Sequence, residues 1–353
     1  MILAAGTRRR AGRAVAIVGV TGFGGLSLLA HPALAGTSDP RAVAALERAA
    51  TAAHALSYVG TQYVSSYSPA GSHSVVLKVR HMAGQGSVVA VASSSGGRTS
   101  VYASDAALPG VADLAVSGLD GAALRLLQQT YDLQLDSSGA YPCVVALRQD
   151  GHAAARFWLD PATWLVTRRE VYGNDGNVVR TSAFVDLRAT SSVQLMTASR
   201  SLVAEVGERR LGLGEVAGLT AAGWIVPRVL PGQLVLYDVR MHDDGSVVHL
   251  GYSDGLSTVS VFEQRGRLDE GAVAGWRRDT VDGADVWWDG STLPARVVWS
   301  ARGRVWTVVA DASAESVRDV VSELPHEKAP HRGFWARIGH GLSRLLSWLN
   351  PFD

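Results

Sequence analysis

The sequence predicts an α+β protein of two domains, an antiparallel sheet curved around an apolar filling and then a smaller α+β domain. Three observations predict it. Strand-length segments of period two come in two blocks, with a helical segment opening the first block and another closing the second. Their connections carry strong turn chemistry: Asp150-Gly151, Asp160-Pro161 and Gly173-Asn174-Asp175-Gly176. Between the blocks, residues 191–213 are Ser/Ala-rich without a period and read as a linker. A length of 353 residues suits about two domains of roughly 100–200 residues each. A hydrophobic share of 47% excludes a wholly disordered chain.

In the first block, Asp39-Pro40 is an N-cap followed by Pro at the first helical position. Val43, Leu46, Ala50, Ala53 and Leu56 then recur at helical spacing, which predicts a helix over 40–56. Strands are expected at 58–67, 73–82, 86–92 and 98–103, a short helix at 120–130, and strands again at 143–149, 153–159, 164–172 and 178–188. Val75, Leu77 and Val79 alternate with Lys78 and Arg80. Ala155, Phe157 and Leu159 flank Arg156, and Ala183, Val185 and Leu187 precede Arg188. One apolar face per strand implies a curved antiparallel sheet whose filling is its own helix, a lipid, or both. In the second block, strands are expected at 233–240, 246–252, 256–263, 284–289, 294–299 and 303–310. A helix follows on Val317, Val320, Val321 and Leu324, and Pro325 stops it.

The first thirty-five residues read as an export signal. Arg8, Arg9, Arg10 and Arg13 precede an apolar run over 14–30, and Ala33-Leu34-Ala35 offers a small-x-small cleavage site. The other reading of the run is an uncleaved anchor. Either way the expected location is extracytoplasmic. Those four Arg belong to a stretch without an acid, so of 33 basic residues 29 remain against 32 acidic ones after Ala35. A mildly acidic body is unsuited to binding nucleic acid.

Catalytic sets are hard to find. Gly251-Tyr252-Ser253-Asp254-Gly255 fits G-x-S-x-G, but the alternating residues after it predict a hairpin, whereas a nucleophile elbow needs a helix there. Gly212 to Ala217 lacks the βαβ setting of a dinucleotide loop. The ten His show no metal-ligand spacing, and Cys143 on an apolar strand reads as a buried thiol. No catalytic residue, metal or cofactor is therefore expected. The C-terminus ends in a spacer and tail, 326–353. Phe334, Trp335, Ile338, Leu342, Leu345 and Leu349 fall on one helical stripe, with Trp348 beside it. That pattern suits a helix in a membrane interface, or one docked on a partner or on the protein's own sheet.

Three stretches together resemble the MucB/RseB family of extracytoplasmic sigma-factor (sigma-E type) regulators. The first runs from the opening helix into Ala55-Leu56-Ser57-Tyr58-Val59-Gly60-Thr61. The second comprises Cys143-Val144-Val145, Phe157-Trp158-Leu159-Asp160 and Leu165-Val166-Thr167-Arg168. The third comprises Gly223-Trp224-Ile225-Val226-Pro227, Tyr252-Ser253-Asp254-Gly255-Leu256 and Ser260-Val261-Phe262. The resemblance covers about 40–325. It implies a lipoprotein-carrier-like half-barrel over 36–190 and a smaller α+β regulatory domain over 214–325. It also implies a periplasmic, non-enzymatic function in the envelope stress response. Such a protein binds the extracytoplasmic part of a membrane anti-sigma factor and controls its proteolysis, with release by a lipid-like signal. The inner wall would then present Leu77, Val79, Phe157, Leu159, Val185 and Leu187 as a ligand groove, and Trp224 with Tyr252 to Leu256 as the second-domain signature. The competing expectation is a lipid or lipoprotein carrier that uses the groove alone.

Overall fold

The computed structural model describes residues 38–68, 71–84, 86–92, 99–104, 121–190, 208–289 and 294–327. The first sheet is formed by β1 (Tyr58–Ser68), β2 (Gly71–Met82), β3 (Gly86–Ala92), β4 (Thr99–Ser104), β5 (Asp132–Asp136), β6 (Cys143–Leu147), β7 (Ala153–Leu159), β8 (Val166–Tyr172) and β9 (Val178–Ala189). It is antiparallel throughout, in the order β4-β3-β2-β1-β9-β8-β7-β6-β5. Because β4 and β5 do not pair with each other, the sheet is an open half-barrel rather than a closed barrel.

Helix α1 (Pro40–Ala55) begins as its sequence requires. The Asp39 carboxylate accepts from the Arg41 N–H at 2.8 Å, and Pro40 occupies the first turn. Its buried side is small: Ala42, Ala45, Leu46 and Ala49. A helix with so little side-chain bulk can lie close to the sheet. Together with Leu124 and Leu127 of α2 (Gly121–Thr130), these residues form one core with Leu133, Val144, Ala146, Phe157 and Leu159. The half-barrel's filling is thus, in this part, its own helices.

The second sheet is formed by β10 (Glu208–Arg210), β11 (Val229–Leu230), β12 (Leu234–His242), β13 (Val247–Ser253), β14 (Thr258–Arg265), β15 (Arg277–Val281), β16 (Ala284–Asp289), β17 (Ala295–Ala301) and β18 (Arg304–Asp311). Its order is β10-β12-β13-β14-β18-β17-β16-β15, with β11 beside β12. Helices α3 (Val216–Ala221) and α4 (Ala314–Glu323) contribute to its main core. Ser313 caps α4 by accepting from the Ser316 N–H at 3.1 Å. Val317, Val320, Val321 and Leu324 pack in that core with Trp299, Trp306 and Val308.

Three sequence expectations are corrected here. The linker is shorter than 191–213, because Glu208 to Arg210 pair with β12. Gly212 to Ala217 spans a Gly212–Glu215 cap and the start of α3, in keeping with the missing βαβ setting. Strands β5 and β15 were not expected; Arg277-Arg278-Asp279-Thr280-Val281 is a polar edge strand without an apolar alternation to announce it. Finally, β9 carries a bulge. Thr61 pairs with Asp186 but Gln62 pairs with Phe184, so Val185 has no partner. The extra residue reverses the inward and outward phase. Phe184 turns toward the core, and Val185 lies 76% exposed instead of lining the interior.

Candidate functional site

The β13–β14 hairpin is where the two sheets meet. Its turn is tied internally by short polar side chains. Asp254 Oδ1 accepts from the N–H groups of Leu256 (2.8 Å) and Ser257 (2.6 Å). Ser253 Oγ accepts from Gly255 N–H at 3.0 Å and donates to Ser257 O at 2.8 Å. The hydroxyl that G-x-S-x-G would offer as a nucleophile is therefore committed to the turn, and a strand follows it.

The tip of this hairpin enters the open side of the half-barrel. Gly255 has φ +90°, and a Cβ there would stand 2.4 Å from the Leu127 nitrogen and 2.6 Å from its Cα. Only glycine allows the turn to lie on the α2 backbone. Leu256 belongs to the α1–α2 core. Three polar contacts surround it. The Arg169 guanidinium donates to Leu256 O at 3.0 Å, the Tyr131 hydroxyl donates to Asp254 Oδ2 at 2.7 Å, and Arg180 forms a buried ion pair with Asp311. Burial pushes the Asp254 carboxyl above its ordinary range, against the opposing pull of the Ser257 N–H, the Tyr131 hydroxyl and the Leu256 N–H. Burial and the adjacent Asp254 push the Tyr131 hydroxyl upward too, which keeps it a donor.

Behind the hairpin, two guanidinium groups lie over the Trp224 ring, Arg304 at 4.5 Å and Arg265 at 4.9 Å from its centroid. The fully buried Glu263 contacts both Arg304 and the backbone beside Trp224. One oxygen forms an ion pair with Arg304 Nε at 2.8 Å, and the other accepts from Ile225 N–H at 2.9 Å. The Tyr252 hydroxyl donates to Pro227 O at 2.8 Å. The two second-domain stretches singled out in the sequence, Gly223 to Pro227 and Tyr252 to Leu256, are therefore one structural unit. Its inner end latches the Trp224 loop, and its outer end plugs the half-barrel.

Beside the latch runs a cleft of about 420 Å³, lined by Tyr131, Arg148 and Tyr172 from the first sheet's side and by Leu234, Asp254 and Glu315 from the second. Its size falls within the range of ligand-binding clefts. Among the described residues no group of His, Cys, Asp and Glu could hold a metal ion, and no helix is long and apolar enough to cross a membrane. Cys143 is buried, and burial pushes its thiol upward.

The expected groove residues divide. Leu77 and Val79 lie in an inner cluster with Tyr58, Val64, Val89 and Leu165, with Leu187 at its margin. Phe157 and Leu159 lie under α1 and α2. Val185 faces outward, as described. The tail residues Phe334, Trp335, Ile338, Leu342, Leu345, Trp348 and Leu349 and the export signal 1–35 lie outside the described residues. Sequence reasoning missed Tyr131, Arg169, Arg180 and Asp311. One signal was available: Arg168 and Arg169 are adjacent in a strand, so one of them must face inward.

An open antiparallel half-barrel filled by its own helices and latched to a second antiparallel sheet defines the class of this protein: a two-sheet α+β protein with a cleft at the seam. No protein-family model matches the chain, and no curated protein matches it significantly. Among solved structures it is similar to the Pseudomonas aeruginosa MucA/MucB complex, at 20% identity over 79% of this chain and 96% of that chain, TM-score 0.41. It is similar to MucB alone at 18% identity over 80% and 98%, TM-score 0.43. A putative outer membrane lipoprotein-sorting protein domain from Vibrio parahaemolyticus follows at 9% identity over 46% and 97%, TM-score 0.20.

Proposed function

We propose that this chain is an exported, non-enzymatic regulator that binds the extracytoplasmic part of a membrane anti-sigma factor and controls its proteolysis in envelope stress. The observation that carries this reading is the latch. Of the residues of the family resemblance, Asp254, Gly255 and Leu256 reach the first sheet's side, Asp254 and Leu256 border the shared cleft, and Tyr252 ties the same hairpin to Pro227 beside Trp224. A simple carrier needs only the half-barrel; a latched second domain suits a protein that holds a partner segment between two bodies. The extracytoplasmic location rests on the signal at 1–35. The tail 333–353 supplies a membrane or partner contact close to such a target. The full chain, used as bait in detergent-solubilised membranes of its own cell, should recover a single-span protein bearing a sigma-binding cytoplasmic domain. Repeated recovery of none counts against the proposal.

A second reading, a carrier of a lipid or another apolar ligand, is favoured by the inner wall of β1 to β3. Tyr58, Val64, Leu77, Val79 and Val89 form a buried apolar cluster there, and among the described helices only the C-terminal turn of α1 and Leu56 pack on it. Native mass spectrometry of protein purified from cells should show a bound amphiphile if this holds, and a persistently empty protein would sink it.

A further inference from the structure

The cleft at the seam carries a one-sided charge. Among the described residues, Asp150, Asp254, Glu315 and Asp319 line it against a single cation, Arg148. The Arg148 guanidinium is committed to main-chain carbonyls, donating to Ala153 O at 2.6 Å and to Tyr172 O. Glu315 and Asp319 stand one turn apart on α4, and neither has an ion pair among the described residues. Like charges at this spacing destabilise a helix unless a cation meets them. The hydroxyls of the two lining tyrosines are also taken. Tyr131 donates to Asp254 Oδ2 at 2.7 Å and Tyr172 to Glu170 Oε2 at 2.5 Å. What they offer an incoming side chain is their rings.

The same helix leads to a segment of opposite charge. The cleft is lined from the start of α4, at Ser313, Glu315, Ser316 and Asp319, and the chain leaves the slab at the helix's other end. That exit is fixed. Trp299 Nε1 donates to Pro325 O at 2.9 Å, and the Arg302 N–H donates to Glu327 Oε2 at 2.7 Å. The sequence then runs Lys328-Ala329-Pro330-His331-Arg332-Gly333-Phe334-Trp335-Ala336-Arg337. Lys328, Arg332, Arg337 and Arg344 are the formal charges of residues 328–352, and no acid falls among them. The path from Glu327 back to Asp319 is at most about 20 Å, one helical turn and four extended residues. Ten extended residues span up to about 33 Å, so 328–337 can fold back over the cleft with chain to spare.

We infer that the basic start of the C-terminal tail, residues 328–337, closes the seam cleft of its own chain. Arg332 and Arg337 meet Glu315 and Asp319, and Phe334 with Trp335 between them packs on the rings of Tyr131 and Tyr172. A volume of about 420 Å³ suits a few side chains and excludes a whole helix, so the stripe from Ile338 to Leu349 stays outside it. An acidic segment of a partner is disfavoured there because it would meet carboxylates. Under the regulator reading, on which this consequence alone rests, the tail competes within the chain for the cleft that a partner segment would enter.

The test is limited trypsin digestion of the full chain, with cleavage after Arg332 and Arg337 followed by mass spectrometry. A synthetic peptide of residues 326–340, digested alongside, gives the rate of the unprotected sequence. Both sites should be cut about tenfold more slowly in the full chain than in the peptide. Glu315→Gln with Asp319→Asn should raise the rate toward that of the peptide. Sodium chloride at about 0.5 M should do the same in the unmodified chain. Equal rates in the full chain and the peptide overturn the inference. So does protection that survives the double variant, or that survives the salt where the variant does not fold, since the tail would then be held on another face. Protection that appears only with vesicles of anionic phospholipid assigns the tail to a membrane and overturns it as well. No anti-sigma protein enters the assay, so its failure and that of the regulator reading are distinct.

Discussion

The two sheets share nine antiparallel strands and differ in how they are covered. In the first, strands alternate. Along β2 the burial runs from an exposed start to Leu77, Val79 and His81 buried against exposed Lys78 and Arg80. In the second, the central strands are buried at almost every position: all seven residues of β13, six of eight in β14 and seven of eight in β18. A strand covered on both faces has no polar side. Polar residues such as His249 and Thr307 then become buried partners of apolar ones instead of marks of the surface. The lesson is that the first sheet is a wall with an inside and an outside, and the second is a slab. The latch carries one turn of the slab into the wall.

The comparison can be broken most severely at the seam. Replacing Asp311 by Ala removes the carboxylate paired with the buried Arg180 guanidinium and should cost about 3–5 kcal/mol in urea unfolding. Replacing both, as Arg180→Met with Asp311→Leu, should recover most of that loss. A single variant as stable as the parent would show that the pair contributes nothing to the union of the sheets. Next comes Gly255→Ala, in which a new Cβ meets the α2 backbone at a positive φ. The combined overpacking and backbone cost is about 2–5 kcal/mol. Calorimetry should also show one transition becoming two, as wall and slab melt separately; a single unshifted transition would refute the plug.

The slab has its own probe in His249. It is buried and stacked on Phe262 at 4.4 Å, and burial pushes its pKa down to about 4 from 6.5. A folded value below the unfolded one means that the unfolded chain takes the proton first as the pH falls. Stability is therefore full above pH 6.5 and declines toward pH 4. A shift of this size corresponds to about 3 kcal/mol at most. His249→Leu should flatten that part of the pH profile, and an unchanged slope would point to other groups. The smallest effect belongs to the wall's outer side. Val185→Ser should change stability by less than about 0.5 kcal/mol, because the bulge leaves Val185 in solvent. A loss like that of a core valine would restore the inward assignment.

Local chemistry carried much of this fold in plain view. The Asp39-Pro40 start of α1, the Val317-Val320-Val321-Leu324 face of α4 and the alternation in β2 and β7 are each written in a few neighbouring residues. In α2 the helical spacing of Ala123, Leu126 and Leu127 made the helix and Leu127 legible, while the burial of Leu124 was not. Tyr252 to Leu256 was legible as a hairpin turn from Asp254-Gly255, and its family resemblance marked it as important. That it acts by entering another domain was not legible, since nothing in those five residues encodes Leu127, 128 positions earlier.

What the sequence by itself determined is therefore the set of elements, their turns and their apolar faces, because those follow from periods of two and 3.6 residues along the chain. The tertiary structure alone decided the exchange of Val185 for Phe184 on the inner wall, the orphaned amide of Gln62, and the latch of Asp254, Leu256 and Asp311 with Tyr131, Arg169 and Arg180. A bulge changes the phase of a strand only through the register of its neighbours. A buried charge is tolerated only where a distant partner arrives to meet it, and both depend on packing between residues far apart in the chain.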